Sequence, residues 1–137
     1  MQRDDSPGVR MKDISSYVGT PYKPHGRTKE EGLDCYGLAI CIYRDTGIEL
    51  PDPVYADTER ETNKRVMESL ESAIPNIRLE KPEPGCVIEF AVLGEPSHVG
   101  IYIDRGDFIH ASRATGVVVD KLSRWRNRVK GFYRVTA

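Results

Sequence analysis

The sequence predicts an α+β domain, on three observations. Apolar residues recur at helical spacing in the first half, as at Cys35, Leu38, Cys41 and Ile42. After Pro82 and Pro84 the period changes to two. The strand-like runs then follow one another through short turns, so they pair antiparallel, with the earlier helices packed on one side of a small sheet. The 137 residues are read as a single domain spanning 1–137. A domain of that size buries roughly two-thirds of its unfolded surface and needs no disulfide framework.

Taken in order, Lys12 to Val18 predicts a short helix ending at Gly19. Thr20 to Gly32 reads as loop, punctuated by Pro21, Pro24, Gly26 and Gly32. Asp34 offers a carboxylate N-cap to a helix over Cys35 to Asp45, with Gly47 as its stop and one apolar stripe facing a core. Leu50 to Pro53 is extended, and Asp57 to Ala73, rich in helix formers, predicts a second long helix ending before Pro75. Strands are expected at Cys86 to Val92, His98 to Ile103, Asp107 to Ala111, Val117 to Asp120 and Gly131 to Val135. A helical turn near Leu122 to Trp125 separates the last two.

Composition removes several function classes. A formal net charge of −1 gives the whole molecule no electrostatic case for binding nucleic acid. The cysteines, at 35, 41 and 86, form no Cys-x-x-Cys pair, and there is no His-Glu-x-x-His run, so no metal and no cofactor are expected. No stretch approaches the ~20 apolar residues of a membrane span. The opening MQRDDSPGVR is polar and lacks the apolar run of a secretory leader. A role outside the cell therefore requires another means of delivery.

The chemistry-bearing residues are Cys35, His98 and His110. A thiol in the first turn of a helix feels the positive end of the helix dipole and unpaired N–H groups, which favour thiolate. Position alone leaves nucleophile and core packing both open for Cys35, whereas Cys41, deep in the helix, reads as core. Gly37 in that first turn implies a close backbone approach. On the strands, His98, Gly100 and Tyr102 share one face. A two-residue turn at Arg105-Gly106 would put His110 on the other face. A three-residue loop, Asp104-Arg105-Gly106, pairs Ile103 with Asp107 and sets His110 opposite Gly100, diagonal to His98. The Cβ atoms of the two histidines are then roughly 7–8 Å apart, a gap two imidazoles span, with Gly100 leaving room between them. The chemistry that follows is attack by Cys35 on a carbonyl carbon, with His98 as acid and base and His110 holding His98 in orientation. The Cys35 N–H is placed to help an oxyanion. His25 reads as a solvated loop residue, and Tyr22, in the same loop, reads equally as packing or as lining for a substrate groove.

Four stretches, YVGTPYKPHGRTKEEGLDCYGLAICIYRDTGIELP, PGCVIEF, SHVGIYIDRGDFIHAS and GFYRV, resemble the NlpC family of papain-like cell-wall cysteine peptidases. They run in the family's order over most of the chain, the acidic segment around 57 to 73 matching least. The resemblance implies a papain-like fold, with Cys35 as nucleophile, His98 as base and His110 as the third, polar member. It implies substrate-binding roles for Tyr22 and for Asp34, the acidic residue beside the nucleophile, and draws in Tyr36 and Ser97, which flank the catalytic positions. The implied activity is hydrolysis of a bond between D-glutamate and a diamino acid in peptidoglycan stem peptides. Tyr36 stands where most bacterial members have serine. With YRDTGIELPD and the terminal GFYR, it makes the chain look like the phage and prophage branch associated with tail tips. The partners implied are the peptidoglycan peptide and phage tail-tip proteins. Such a protein is made in the cytoplasm and reaches the wall or periplasm on the particle, which suits the absent leader.

Two other readings share these residues. One is a tail assembly or structural protein that keeps the fold and works by binding, or processes a phage protein; the intact Cys35, His98 and His110 argue against a dead scaffold. The other is a thiol amidase or acyltransferase using the same nucleophile and base. The basic residues Lys121, Arg124, Arg126, Arg128, Lys130 and Arg134 read as a solvated face. Trp125 among them is either a core anchor or a partner contact.

Overall fold

The computed structural model describes residues 14–52, 64–65, 67–68, 71–72, 74–92 and 95–136. Of the first expected helix, residues 14–15 are helical and the chain turns to Gly19, where φ is 95°; Lys12 and Asp13 lie outside the described residues. A small hairpin interrupts the stretch read as loop. β1 (Arg27–Thr28) and β2 (Gly32–Leu33) pair antiparallel, Arg27 with Leu33 and Thr28 with Gly32. Two residues per strand are too few to show a period.

Helix α1 (Cys35–Asp45) has the expected bounds. Asp34 caps it, one carboxylate oxygen accepting the Gly37 N–H at 2.7 Å. At its end Gly47, with φ of 92°, donates to the Arg44 carbonyl at 3.0 Å. Burial goes beyond the single stripe expected: residues 35 to 43 are all buried. The sheet covers one side, while Tyr17 reaches the Cys41 carbonyl and the Asp45 carboxylate from another. Cys41 Sγ itself lies 3.3 Å from the Arg27 carbonyl, under the small hairpin. Of the helix expected over 57–73, residues 64–65, 67–68 and 71–72 are helical, and Ser72 Oγ donates to the Glu68 carbonyl at 2.7 Å. The rest of that span lies outside the described residues.

Six strands make one sheet: β3 (Asn76–Leu79), β4 (Val87–Val92), β5 (Glu95–Asp104), β6 (Asp107–Ser112), β7 (Gly116–Lys121) and β8 (Val129–Val135), in the order β3-β8-β4-β5-β6-β7. Every neighbouring pair is antiparallel. β3 is the strand the sequence reading lacks; Asn-Ile-Arg-Leu is a short edge strand paired only with β8, and its Ile77 faces solvent. Short 3-10 turns at Leu122–Arg124 and Arg126–Arg128 lead into β8.

Alternation along the strands splits the core in two. Val87, Val99, Ile101, Ile109, Ala111 and Val117 pack with Leu38, Ile42 and Tyr17 on the α1 side. Cys86, Ile88, Phe90 and Phe108 pack on the other, covered by Tyr102, Leu122, Trp125 and Phe132.

The turn between β5 and β6 corrects the expected loop. It is a two-residue turn in which Arg105 and Gly106 both have positive φ, 51° and 85°, the conformation of the tightest hairpins. Asp104 pairs with Asp107, yet Tyr102 pairs with Phe108 and Ile101 with Ile109. A bulge at Ile103 absorbs one residue and restores the register that the longer loop would have produced. His110 therefore still falls on the His98 face.

Candidate active site

α1 presents Cys35 at its first position because Asp34 caps the helix one residue earlier. The thiol is buried, 4% exposed, and the backbone N–H groups of Val99 and Tyr36 point at its sulfur. The Val99 N–H belongs to the peptide that joins His98 to Val99, so α1 delivers the thiol to the histidine-bearing strand. Gly37 permits this packing: a Cβ there would sit 2.0 Å from the Gly26 carbonyl oxygen. The expected depression of the thiol pKa does not hold. Burial, followed by the negative charge of Asp34, pushes it up to about 12 against the two N–H groups and Arg27.

His98 and His110 meet directly, Nε2 of the first 2.8 Å from Nδ1 of the second. A second bulge helps to aim His98. Phe90 pairs with His98 but Ala91 with Pro96, which leaves Ser97 as the unpaired residue immediately before it. His98 stacks on Trp125 at 5.8 Å between ring centres and tilts against Phe90 at 5.6 Å. His110 is 1% exposed and lies over Phe108 at 4.6 Å. Gly100 makes room for Phe108 and not, as its sequence position suggested, for the imidazoles: a Cβ there would come within 2.8 Å of the Phe108 ring. Burial and the neighbouring His110 lower the His98 pKa to about 3, and burial lowers that of His110. At rest the thiol and both imidazoles are thus neutral.

The remaining sequence candidates have the following places. Tyr22 is partly buried, bridged to Leu33 two residues before Cys35, with the Arg113 guanidinium 5.3 Å from its ring centre. Asp34 is 2% exposed, and its oxygens accept from the Gly37 N–H, the His25 N–H at 2.9 Å and Arg27 Nη1 at 2.9 Å. Tyr36 is buried and donates its hydroxyl to the Pro51 carbonyl. His25 is partly buried with φ of 62°. Cys41 is core, as expected, and so is Cys86.

Three residues that drew no notice in the sequence, Arg27, Asp52 and Asp120, and one left open there, Trp125, lie around these groups. Arg27 clamps Asp34 and Asp52 together, its Nε 3.1 Å from the Asp52 carboxylate. Asp120 lies 3.5 Å from His110 Nε2, and Trp125 Nε1 donates to the same Asp120 oxygen at 3.1 Å. A period-two strand ending in Asp120 and a tryptophan after it carried a signal only once the histidine register was known. The C-terminal basic residues are partly engaged, Lys121 with Asp107, Arg124 with Asp120, Arg128 with the Trp125 ring and Arg134 with Glu83. Among the described residues no group of three or more His, Cys, Asp or Glu is arranged to hold a metal ion, and no helix is long and apolar enough to cross a membrane.

A thiol at a helix N-terminus, packed on an antiparallel sheet that carries two hydrogen-bonded imidazoles, defines the papain-like class of α+β folds. Within that class residues 19–134 match the NlpC/P60 family, and the chain belongs to it. It is 31% identical over 128 residues to the murein DD-endopeptidase MepS/murein LD-carboxypeptidase of Escherichia coli, covering 91% of this chain and 61% of that protein. It is 33% identical over 129 residues to the gamma-DL-glutamyl hydrolase of Bacillus subtilis, covering 90% and 28%. A lipoprotein-like NLP/P60 family structure from Staphylococcus aureus superposes with a TM-score of 0.71 at 28% identity, over all of this chain and 44% of that one. The chain thus spans between 28% and 61% of these relatives' length.

Proposed function

We propose that this chain is a cysteine endopeptidase that hydrolyses peptidoglycan stem peptides between D-glutamate and a diamino acid. The observation that carries the reading is the buried Cys35 thiol at the peptide joining His98 to Val99, with the His98 ring bonded to His110. The Bacillus relative, named for gamma-DL-glutamyl hydrolysis, supports the D-glutamyl bond. The Escherichia relative's name points to DD and LD bonds instead, which the test below separates.

In this reading Cys35 Sγ attacks the amide carbonyl carbon while His98 Nδ1 takes the thiol proton. The C–N bond breaks, the leaving amine takes that proton, and the acyl group remains on sulfur as a thioester. Water then attacks the thioester, gives its proton to His98, and leaves a carboxylic acid; the proton returns to sulfur. Burial disfavours both the thiolate and the imidazolium, which favours proton transfer concerted with attack. The Cys35 N–H, at the first helical position with no intrahelical acceptor, supports the oxyanion. Incubating purified stem peptides with wild type and Cys35→Ala, followed by mass spectrometry, tests the reading. Fragments split after D-glutamate from wild type alone support it. No cleavage by wild type, with its thiol shown to react, moves the role to a phage protein substrate or to assembly.

We further propose delivery to the wall by a phage or prophage tail tip. Tyr36 beside the nucleophile supports this, together with the Leu50-Pro51-Asp52 segment that its hydroxyl and Arg27 hold in place. An antibody against the chain should find it in purified particles; particles lacking it while infecting normally would refute the assignment.

A further inference from the structure

His110 Nε2 is buried, and among the described residues it has no hydrogen-bond partner nearer than Asp120 Oδ2 at 3.5 Å. A buried ring nitrogen must either donate or accept, and an imidazole that is neutral carries one proton for its two nitrogens. Two neutral imidazoles joined Nε2 to Nδ1 can therefore run in either direction. In one, His98 Nε2–H donates to His110 Nδ1, and His98 Nδ1 is a bare base. In the other, His110 Nδ1–H donates to His98 Nε2, and His98 Nδ1 carries a proton it cannot use to accept another. The joined pair does not choose by itself.

We propose that Asp120 is a positioning residue that chooses the direction of this relay, by accepting the proton of His110 Nε2. The inference rests on the reading of Cys35 and His98 as nucleophile and base. Three observations carry it. Asp120 lies diagonal to His110 across β6 and β7, where Val118 is directly opposite, so both side chains share the histidine face. Its Oδ2 is held by the Trp125 indole N–H at 3.1 Å and its Oδ1 by the Lys121 N–H at 2.9 Å, so the carboxylate is fixed by donors on both oxygens. Trp125, the donor, is also the ring stacked on His98 and set edge-on to His110 at 5.0 Å. Burial pushes the Asp120 carboxyl up, but Lys121, Trp125 and His110 outweigh it and keep it below the usual range, so it is a carboxylate at neutral pH. Among the described residues only the Asp120 acceptor stands at His110 Nε2, which places the proton there, leaves Nδ1 to accept from His98, and frees His98 Nδ1.

Asp120→Asn keeps the shape and reverses the chemistry. Its carbonyl can keep the Lys121 N–H at the Oδ1 position, which puts its NH2 at the Oδ2 position. There the NH2 gives up the Trp125 bond and donates to His110 Nε2, driving the relay backwards. The experiment combines ring 15N shifts of His98 and His110, kcat and KM on a stem peptide, and Tm, for wild type, Asp120→Asn and Asp120→Glu. Wild type should show His98 protonated at Nε2. Asp120→Asn should move that proton to Nδ1 and lower kcat by about 10–100-fold with KM within about twofold. Asp120→Glu, which keeps the carboxylate, should recover the wild-type tautomer and part of the rate. Wild-type tautomers in Asp120→Asn overturn the proposal whatever the rate does, and so does a kcat loss matched by a collapse in Tm without a tautomer change. Wild type that cleaves no stem peptide sinks the substrate reading, while the 15N shifts still decide the relay.

Discussion

On the α1 side of the sheet, Val99, Ile101, Ile109 and Val117 meet helix residues in an apolar layer. One residue along the same strands, the opposite face carries His98, Phe108, His110 and Asp120. Both faces are buried, but their titratable groups answer acid in opposite ways. On the α1 side Glu89 is fully buried, one oxygen accepting from Tyr133, and burial with the nearby Glu71 charge raises its pKa to about 6. On the other, burial lowers His98 to about 3. The first face tolerates a proton-hungry group in its core. The second holds an imidazole that stays neutral well below its ordinary range, as the base proposed for this site must be before it can accept a proton. Two bulges, at Ser97 and Ile103, flank the stretch of β5 that carries His98 and set the register of its imidazole with that of His110.

Breaking the contrast should produce graded losses. Cys35→Ala removes the only proposed nucleophile and should lower turnover by at least about 1,000-fold with Tm little changed. Cys41→Ala, six residues further along α1, should retain turnover and lose about 1 kcal/mol of stability from the vacated core volume. Equal activity losses in the two variants would show that position within the helix does not separate the roles. On the histidine face, His98→Ala should cost more kcat than His110→Ala, about 1,000-fold against 10–100-fold, because the second acts through the first. Steady-state assays giving the reverse order would exchange their roles.

The acid response sharpens the comparison further. His98 binds a proton in the unfolded chain below its ordinary 6.5 but in the folded chain only near 3, so its stabilisation is lost as pH falls from about 6.5 towards 3. His110 and Asp120, both lowered, act in the same direction. Glu89, raised from 4.5 to about 6, opposes them and stabilises as pH falls through 6. The histidine shift is the larger, so Tm should drop between pH 7 and pH 4. Glu89→Gln should steepen that drop and His98→Gln should flatten it; thermal melts in which both variants follow wild type would remove the assignment. The smallest effect is kinetic. With the thiol pushed up to about 12, iodoacetamide should modify Cys35 slowly at pH 7 and faster only at alkaline pH. A fast plateau near pH 6 would mean that a thiolate–imidazolium pair already exists.

Much of this was legible in the sequence because it follows from local chemistry. Asp34 caps and Gly47 ends α1, and the expected register put both histidines on one face, though through a three-residue loop where the chain has a two-residue turn and a bulge. The hairpin at Arg27 to Leu33 and edge strand β3 escaped, since pieces of two to four residues show no period. The direction of the Cys35 pKa escaped for a different reason. A helix N-terminus is visible in sequence, whereas the desolvation that outweighs it is a property of the packed fold. Asp120 and Trp125 became meaningful only through their contacts with His110 and His98, which depend on a bulge that no turn rule announces.

The most direct test of the account is capture of the acyl-enzyme. Wild type and Cys35→Ala are mixed with a stem peptide, quenched in acid and analysed by peptide-level mass spectrometry. A thioester carrying the D-glutamyl fragment on Cys35, with matching cleavage products absent from Cys35→Ala, is the predicted result. Products formed equally by Cys35→Ala, or an adduct on Cys41 or Cys86 in its place, would contradict it.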